Sequence, residues 1–278
     1  MNRISSQPGL VSLDDRRRPE PPALVLVAHG SRDPRTLATV HDLLDQVRDR
    51  RPDLPVHLGH IELNEPLLPD TLASLGTAEA VLVPLLLSRG HHVKRDIPDM
   101  AAASPARTRV AAPLGPHPLL VDTLHARLVE AGWDTRTDEE TRRESAVVLA
   151  SAGSRDPESA VDTRRTAHLL AERLGVPVVP AYASAATPTV ETAIRALTAR
   201  GRHRVAIASY FTAPGLFARQ CAEKAPWVAS APLGTHSAMT KLILHRYDQV
   251  TDARGAGLCQ LAAPPRGATS HKRPALAI

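Results

Sequence analysis

The pentapeptide GSRDP stands in this chain twice, at residues 30–34 and 153–157, each time closing an apolar run: LVAHGSRDP over 26–34 and LASAGSRDP over 149–157. A second shared phrase, APLG, stands at 112–115 and 231–234, and two positions after each copy comes a histidine, His117 and His236. The anchors keep their order and nearly their spacing, 123 residues from Gly30 to Gly153 and 119 from Ala112 to Ala231. An internal duplication is the simplest source. It constrains the fold more than any local propensity, because what one copy builds the other must build as well. The 278 residues divide into two units of ordinary domain size, 23–133 and 146–252. Between them, DTRTDEETRRES (134–145) is charged and free of apolar side chains, as a linker is. Residues 1–22 read as a disordered N-terminal extension and 253–278 as a disordered basic tail, both rich in Pro and Arg.

Each unit alternates strand-like and helix-like segments. ALVLVA (23–28) is a continuous apolar run, the pattern of a strand buried on both faces. Asp33 followed by Pro34 makes an N-cap and a first helical residue, and Leu37, Val40, Leu44 and Val47 follow at helical spacing. PVHLGHIE (55–62) and AVLVPLLL (80–87) are further strands, the second with Pro84 awkward for a central position. RVAAPLG (109–115) is a short fourth. Helices are predicted over 66–75, from near Asp96, and over 117–131. The second unit repeats the strands as AVVLAS (146–151), PVVPAYAS (177–184), RVAIASYF (204–211) and WVASAPLG (227–234). The predicted fold class is α/β: two tandem units, each a parallel four-stranded sheet flanked by helices, facing across a cleft.

Open α/β sheets hold ligands beyond the carboxyl ends of their strands. In the first unit those ends carry His29, then Glu62 and Glu65, then His91 and His92, then His117. Imidazoles with a carboxylate suit Fe, Co, Ni, Cu or Zn, and an imidazole also moves protons near neutral pH. The second unit has lost nearly all of this. Ala152 replaces His29; aligning Pro66 with Pro188 sets Ser184 against Glu62 and Thr187 against Glu65; aligning Gly90 with Gly215 sets Leu216 and Phe217 against His91 and His92. Only His236 keeps its counterpart. One working site and one retired site follow, the second unit serving as a wall or lid. A lone histidine behind a strand is ordinarily structural, and His41, His57, His60 and His125, which show no such pattern, are read as packing or surface residues. Asp33 and Asp156, common to both copies, read as helix caps. Ser31 and Ser154, also common, argue against a nucleophilic serine. Arg32, Arg89, Lys94 and Arg95 flank the site and stand open between solvated charge and anion binding.

AHGSR with His29, ELNEP (62–66) and PLLLSRGHHVKRDIP (84–98) resemble the CbiX/SirB-type sirohydrochlorin chelatases of the class II chelatase family, over nearly the whole first unit. The duplicated layout resembles the family's two-domain long form. In the family's third motif the metal-site histidine comes two residues after the glycine, ahead of a valine and D-I-P. The resemblance therefore assigns that role to His92 and leaves His91 in the variable place. It implies that His29 and His92 hold the metal, with Glu62 as a catalytic carboxylate nearby. The implied reaction inserts Fe²⁺ or Co²⁺ into sirohydrochlorin with release of two protons, in sirohaem or cobalamin synthesis. The metal is then a substrate, and no tightly bound cofactor is implied. Sirohydrochlorin carries eight carboxylates, for which Ser31, Arg32, Arg89, Lys94 and Arg95 are the candidate contacts. Two other readings bear on the same residues. LVAHG resembles the LVRHG of histidine phosphatases, but Ala28 stands where phosphate needs an arginine. A metal or tetrapyrrole carrier that keeps the chelatase shape would bind without turnover.

Composition narrows the field. The net charge of +5 is spread among acids, and aromatic residues make up only 3%, so the stacking platforms of a nucleic-acid binder are missing. No nucleic-acid partner is expected; a polyanionic small molecule suits the charge. Cys221 and Cys259 form no C-x-x-C pair and give neither a disulfide framework nor a zinc signature. No stretch approaches the roughly 20 apolar residues of a membrane span, and residues 1–22 hold no apolar run of a signal peptide. A cytoplasmic protein without a membrane partner is expected. Two fused units build a whole cleft from one chain, so a monomer is expected.

Overall fold

The computed structural model describes residues 21–136 and 138–261, with side chains as far as 253. The disorder expected for 1–20 and 262–278 lies outside the described residues. Two parallel sheets form the frame. The first has the order β2-β1-β3-β4, from β1 (Ala23–Ala28), β2 (Val56–His60), β3 (Glu79–Pro84) and β4 (Arg107–Val110). The second has the order β6-β5-β7, from β5 (Ser145–Ser151), β6 (Val178–Tyr182) and β7 (Arg204–Ser209). Both central strands, β1 and β5, are buried along their whole length, which is why their sequences are unbroken apolar runs. Pro84 does no harm because it is the last residue of β3, paired with Val27 beyond the reach of β4.

The helices follow the capping signals. Asp33 accepts from the Arg35 amide at the start of α1 (Pro34–Arg50), and Asp156 from the Glu158 amide at the start of α6 (Pro157–Leu174). Helix α1 buries Val40, Leu43, Leu44 and Val47. The remaining helices of the first repeat are α2 (Leu68–Ser74), α3 (Ile97–Ala102), which continues a π-helical turn at His92–Asp96, and α4 (Pro118–Glu130). Those of the second are α7 (Val190–Thr198), α8 (Leu216–Ala222) and α9 (Ser237–Leu261).

Four expectations are corrected. The second sheet has three strands, not four: the segment around Ala229 makes only an isolated bridge to Ile207. There the Ser230 hydroxyl, not a backbone carbonyl, takes the Ser209 amide, so a side chain ends the ladder. In the first sheet β4 starts earlier than expected and stops at Val110; Pro113, like Pro232 in the copy, has no N–H to extend it. The segment 134–145 is not all linker. Asp138 caps α5 (Glu139–Glu144) by accepting from the Thr141 amide at 2.7 Å, and Ser145 already belongs to β5. Finally, α9 runs on past residue 252, where the second unit was expected to end.

The two repeats are not self-contained in space. Helix α4 belongs to the first repeat by sequence but packs on α6 and β7 of the second, while α9, its counterpart, packs on α1 and β3 of the first. Hydrogen bonds follow the same exchange: Arg127 donates to the Leu233 carbonyl, Arg246 to Leu114, Arg109 to Val250 and the Tyr247 hydroxyl to Pro22. One core therefore joins both sheets, with Leu24, Leu26 and Val83 from one and Val147, Leu149 and Ala206 from the other, bridged by Leu124, Leu242, Ile243 and Tyr247. Among the described residues no helix is long and apolar enough to cross a membrane.

Tyr247 has the largest fully buried side chain of the core, at 1% exposure. Tyr247→Ala is expected to destabilise the protein by about 3–5 kcal/mol, the usual cost of removing a large buried ring. Because the core is shared, urea unfolding followed by circular dichroism and by tryptophan fluorescence should still give coincident single transitions.

Candidate active site

The loops after β1 and β2 are locked to one another before any chemistry is considered. Gly30 has φ +104°, and a Cβ there would overlap the Glu62 carbonyl oxygen, so only glycine lets the two loops touch. The Glu62 amide donates to the His29 carbonyl at 3.0 Å, and the Ser31 amide to Asn64 Oδ1 at 2.6 Å. This places the Glu62 carboxylate on the Nδ1 side of His29, 3.6 Å away, with the Gly30 carbonyl 3.3 Å from the same nitrogen. Both neighbours are acceptors, so they favour a proton on Nδ1 and leave Nε2 as the nitrogen facing away from them.

His92 is treated alike by a different element. In the π-helical turn His92–Asp96, the Asp96 carboxylate accepts from His92 Nδ1 at 2.6 Å and also lies 3.4 Å from His91 Nε2. The His29 and His92 rings meet edge to face, with centroids 4.6 Å apart and planes at 87°. Imidazoles whose Nδ1 faces a carboxylate or a backbone carbonyl are the pattern found for metal-binding histidines, where the acceptor orients the ring. Among the described residues no group of three or more His, Cys, Asp or Glu side chains is placed to hold a metal ion. The pair thus offers a metal two nitrogens and leaves its other positions open, as a site that passes a metal on requires. Sequence reasoning missed Asp96; its place four residues after His92, one helical turn on, was the available signal.

The pair opens on a cavity of about 840 Å³ between the repeats, in the upper part of the range for small-molecule sites, roughly 300–1,000 Å³. Of the predicted contacts, His29, Glu62, His92, Ser31 and Arg32 line it. Arg89, Lys94 and Arg95 stand beside it without lining it. Arg89 is bound by the carboxylate of Asp162, only 4% exposed, at 2.6 Å, and Lys94 by Asp156 and Glu158 at 2.9 and 2.6 Å. These carboxylates raise both cations further above their ordinary range, and Lys94 lowers Asp156 in turn. The cations fasten the third-motif loop to α6 of the second repeat. Arg95 is exposed to solvent. His117 also leaves the site: its Nδ1 accepts from the Leu119 amide as N-cap of α4, and burial, then Arg246 and His245, holds its pKa below the usual imidazole range. His236 caps α9 in the same way through the Ala238 amide, which is why this histidine alone exists in both copies. His60 is a buried packing residue, its Nδ1 3.2 Å from the Pro66 carbonyl.

The second repeat keeps the scaffold without the chemistry. Gly153 has φ +90° against the Ser184 carbonyl, and the Ser184 amide donates to the Ala152 carbonyl at 2.9 Å, as Glu62 does to His29. The Arg219 amide donates to Gly215 as Lys94 does to Gly90, so the register sets Phe217 opposite His92 and Cys221 opposite Asp96.

Fold and site together define a tandem parallel α/β protein with one imidazole-pair site and one vacant copy of it. The CbiX family model matches residues 23–131 and 146–250. The chain belongs to the CbiX family. Among known relatives, a sirohydrochlorin cobaltochelatase of Methanococcus aeolicus is 36% identical over 81 residues, 28% of this chain and 57% of that protein. The match thus spans little more than half of that relative's length. A sirohydrochlorin cobaltochelatase of Priestia megaterium is 24% identical over 213 residues, 72% of this chain and 67% of that protein. SirB from Bacillus subtilis, solved with Fe³⁺, shares the fold at TM-score 0.66 and 23% identity, over 85% of this chain and 98% of its own.

Asp96→Ala is expected to weaken Co²⁺ binding by about 10–100-fold, the usual effect of losing the acceptor that orients a metal-binding histidine. Titration of the cobalt absorption bands at fixed pH measures it.

Proposed function

We propose that this protein is a sirohydrochlorin chelatase that inserts a divalent metal, Fe²⁺ or Co²⁺, into sirohydrochlorin. The observation that carries the reading is the His29–His92 pair, each with its Nδ1 held by an acceptor and both lining one open cavity. The metal arrives on the two Nε2 nitrogens, which must be neutral to bind it. Its open positions accept pyrrole nitrogens of the macrocycle. As those metal–nitrogen bonds form, two pyrrole N–H protons leave, so that one divalent cation enters and two protons are released. Glu62, half exposed and against His29, is the proposed acceptor of a proton and passes it to solvent. Ser31 and Arg32 are the proposed contacts for substrate carboxylates. Two imidazoles suit both iron and cobalt, and ligand type alone does not choose between them. Both walls of the cavity come from one chain, so the proposed working form is a monomer. The exchanged helices favour this reading, since they hold the walls at a fixed separation.

An anaerobic absorbance assay with sirohydrochlorin and Fe²⁺, Co²⁺ or Ni²⁺ tests it. The wild type is expected to insert at least one metal well above the uncatalysed rate. His92→Ala should lose at least the roughly 10–100-fold that removing an outer-shell partner costs. Tight binding of sirohydrochlorin with no acceleration for any metal would establish a carrier instead.

A further inference from the structure

Five large apolar side chains stay exposed among the described residues, and three of them line this cavity: Leu63 at 53%, Leu216 at 54% and Phe217 at 41%. Exposed apolar side chains gathered around one cavity are the lining of an ordinary ligand pocket. Leu216 and Phe217 stand in the register positions of His91 and His92. The retired copy has therefore not only lost its imidazoles; it turns an aliphatic side chain and an aromatic ring to the same space. The loop that carries them is tied to the opposite wall. Thr36 Oγ1 donates to the Pro214 carbonyl at 2.6 Å, and Thr212 Oγ1 to the Leu85 carbonyl at 3.2 Å. The ring is thus held at a set distance from the sheet edge that carries His29. Charge in the cavity is sparse: among the described residues Arg32 is the only Lys or Arg that lines it. A ligand recognised by many edge carboxylates would meet one guanidinium there, whereas a flat π face meets an aromatic ring.

Resting on the chelatase reading, we propose that Phe217, with Leu216 beside it, is a positioning residue on which one face of the sirohydrochlorin macrocycle stacks while the other face meets the His29–His92 pair. The ring is braced from behind as the metal is pushed in from the front, and most carboxylates project into water at the rim, where their charge need not be desolvated.

The test compares wild type, Phe217→Ala and Phe217→Trp by anaerobic titration with sirohydrochlorin, by steady-state insertion kinetics and by Co²⁺ binding without the macrocycle. Phe217→Ala is expected to raise the sirohydrochlorin Kd and KM about tenfold, and Phe217→Trp to return both to within about twofold of wild type, as ring stacking predicts. Co²⁺ affinity and the unfolding midpoint should not move. A wild-type Kd and KM in Phe217→Ala would overturn the stacking role and leave the chelatase reading standing. So would a defect that tryptophan does not repair, or one shared with Co²⁺ binding. A wild type that neither binds sirohydrochlorin nor accelerates insertion overturns the chelatase reading, and this proposal with it.

Discussion

The structure depends on the exchange of its last helices. Each repeat sends its C-terminal helix to the other: α4 covers α6 and β7, and α9 covers α1 and β3. Neither sheet buries its inner face with residues of its own repeat alone, so the apolar area that stabilises the protein is shared by construction. This fixes the spacing of the two sheet edges, and with it the width of the cavity between them. Tyr210 shows how closely the repeats interlock: its buried hydroxyl donates to the Leu87 carbonyl of the first repeat at 2.9 Å, and a Cβ on Gly115 would collide with it.

On that frame the site is built by acceptors more than by ligands. Glu62 and the Gly30 carbonyl stand at Nδ1 of His29, and Asp96 stands at Nδ1 of His92; each selects the tautomer and aims the other nitrogen. The side chains that appeared free to bind an anionic substrate have a different task. Arg89 and Lys94 pair with Asp162, Asp156 and Glu158 of α6, so the charges around the cavity brace its walls and leave its interior mostly apolar. At the loops after the central strands the asymmetry between repeats lies in the side chains, since the Gly30 and Gly153 turns and the backbone bonds from Glu62 to His29 and from Ser184 to Ala152 are the same in both.

The sequence carried the duplication, the strand order of chemistry and the histidine pair, because each was written locally: apolar runs, an Asp-Pro helix start, and a phrase whose copy lacked the functional residue. The comparison between copies also identified what was structural, since Asp33 with Asp156 and His117 with His236 are caps in both repeats. What it hid was pairing across repeats. No local pattern says that Arg89 meets Asp162, 73 residues away, or that α9 leaves its own sheet. Strand ends were misread for a nearer reason. APLG continues an apolar run, but its proline has no amide to give, and Ser230 replaces a ladder bond with a hydroxyl. Asp96 was passed over because D-I-P read as a helix start; it is both that and the anchor of His92.

The placement of α9 has a consequence for how the protein is made. Synthesis runs from the N-terminus, and domains usually fold in that order as they emerge. Here the half that carries the histidines leaves the ribosome first, yet Leu242, Ile243 and Tyr247, which complete its core, are translated only after all three strands of the second sheet. The half that carries the histidines must therefore wait, with part of its inner sheet face uncovered, until α9 has been made, and a nascent chain that stops short of α9 cannot hold a finished core around the site.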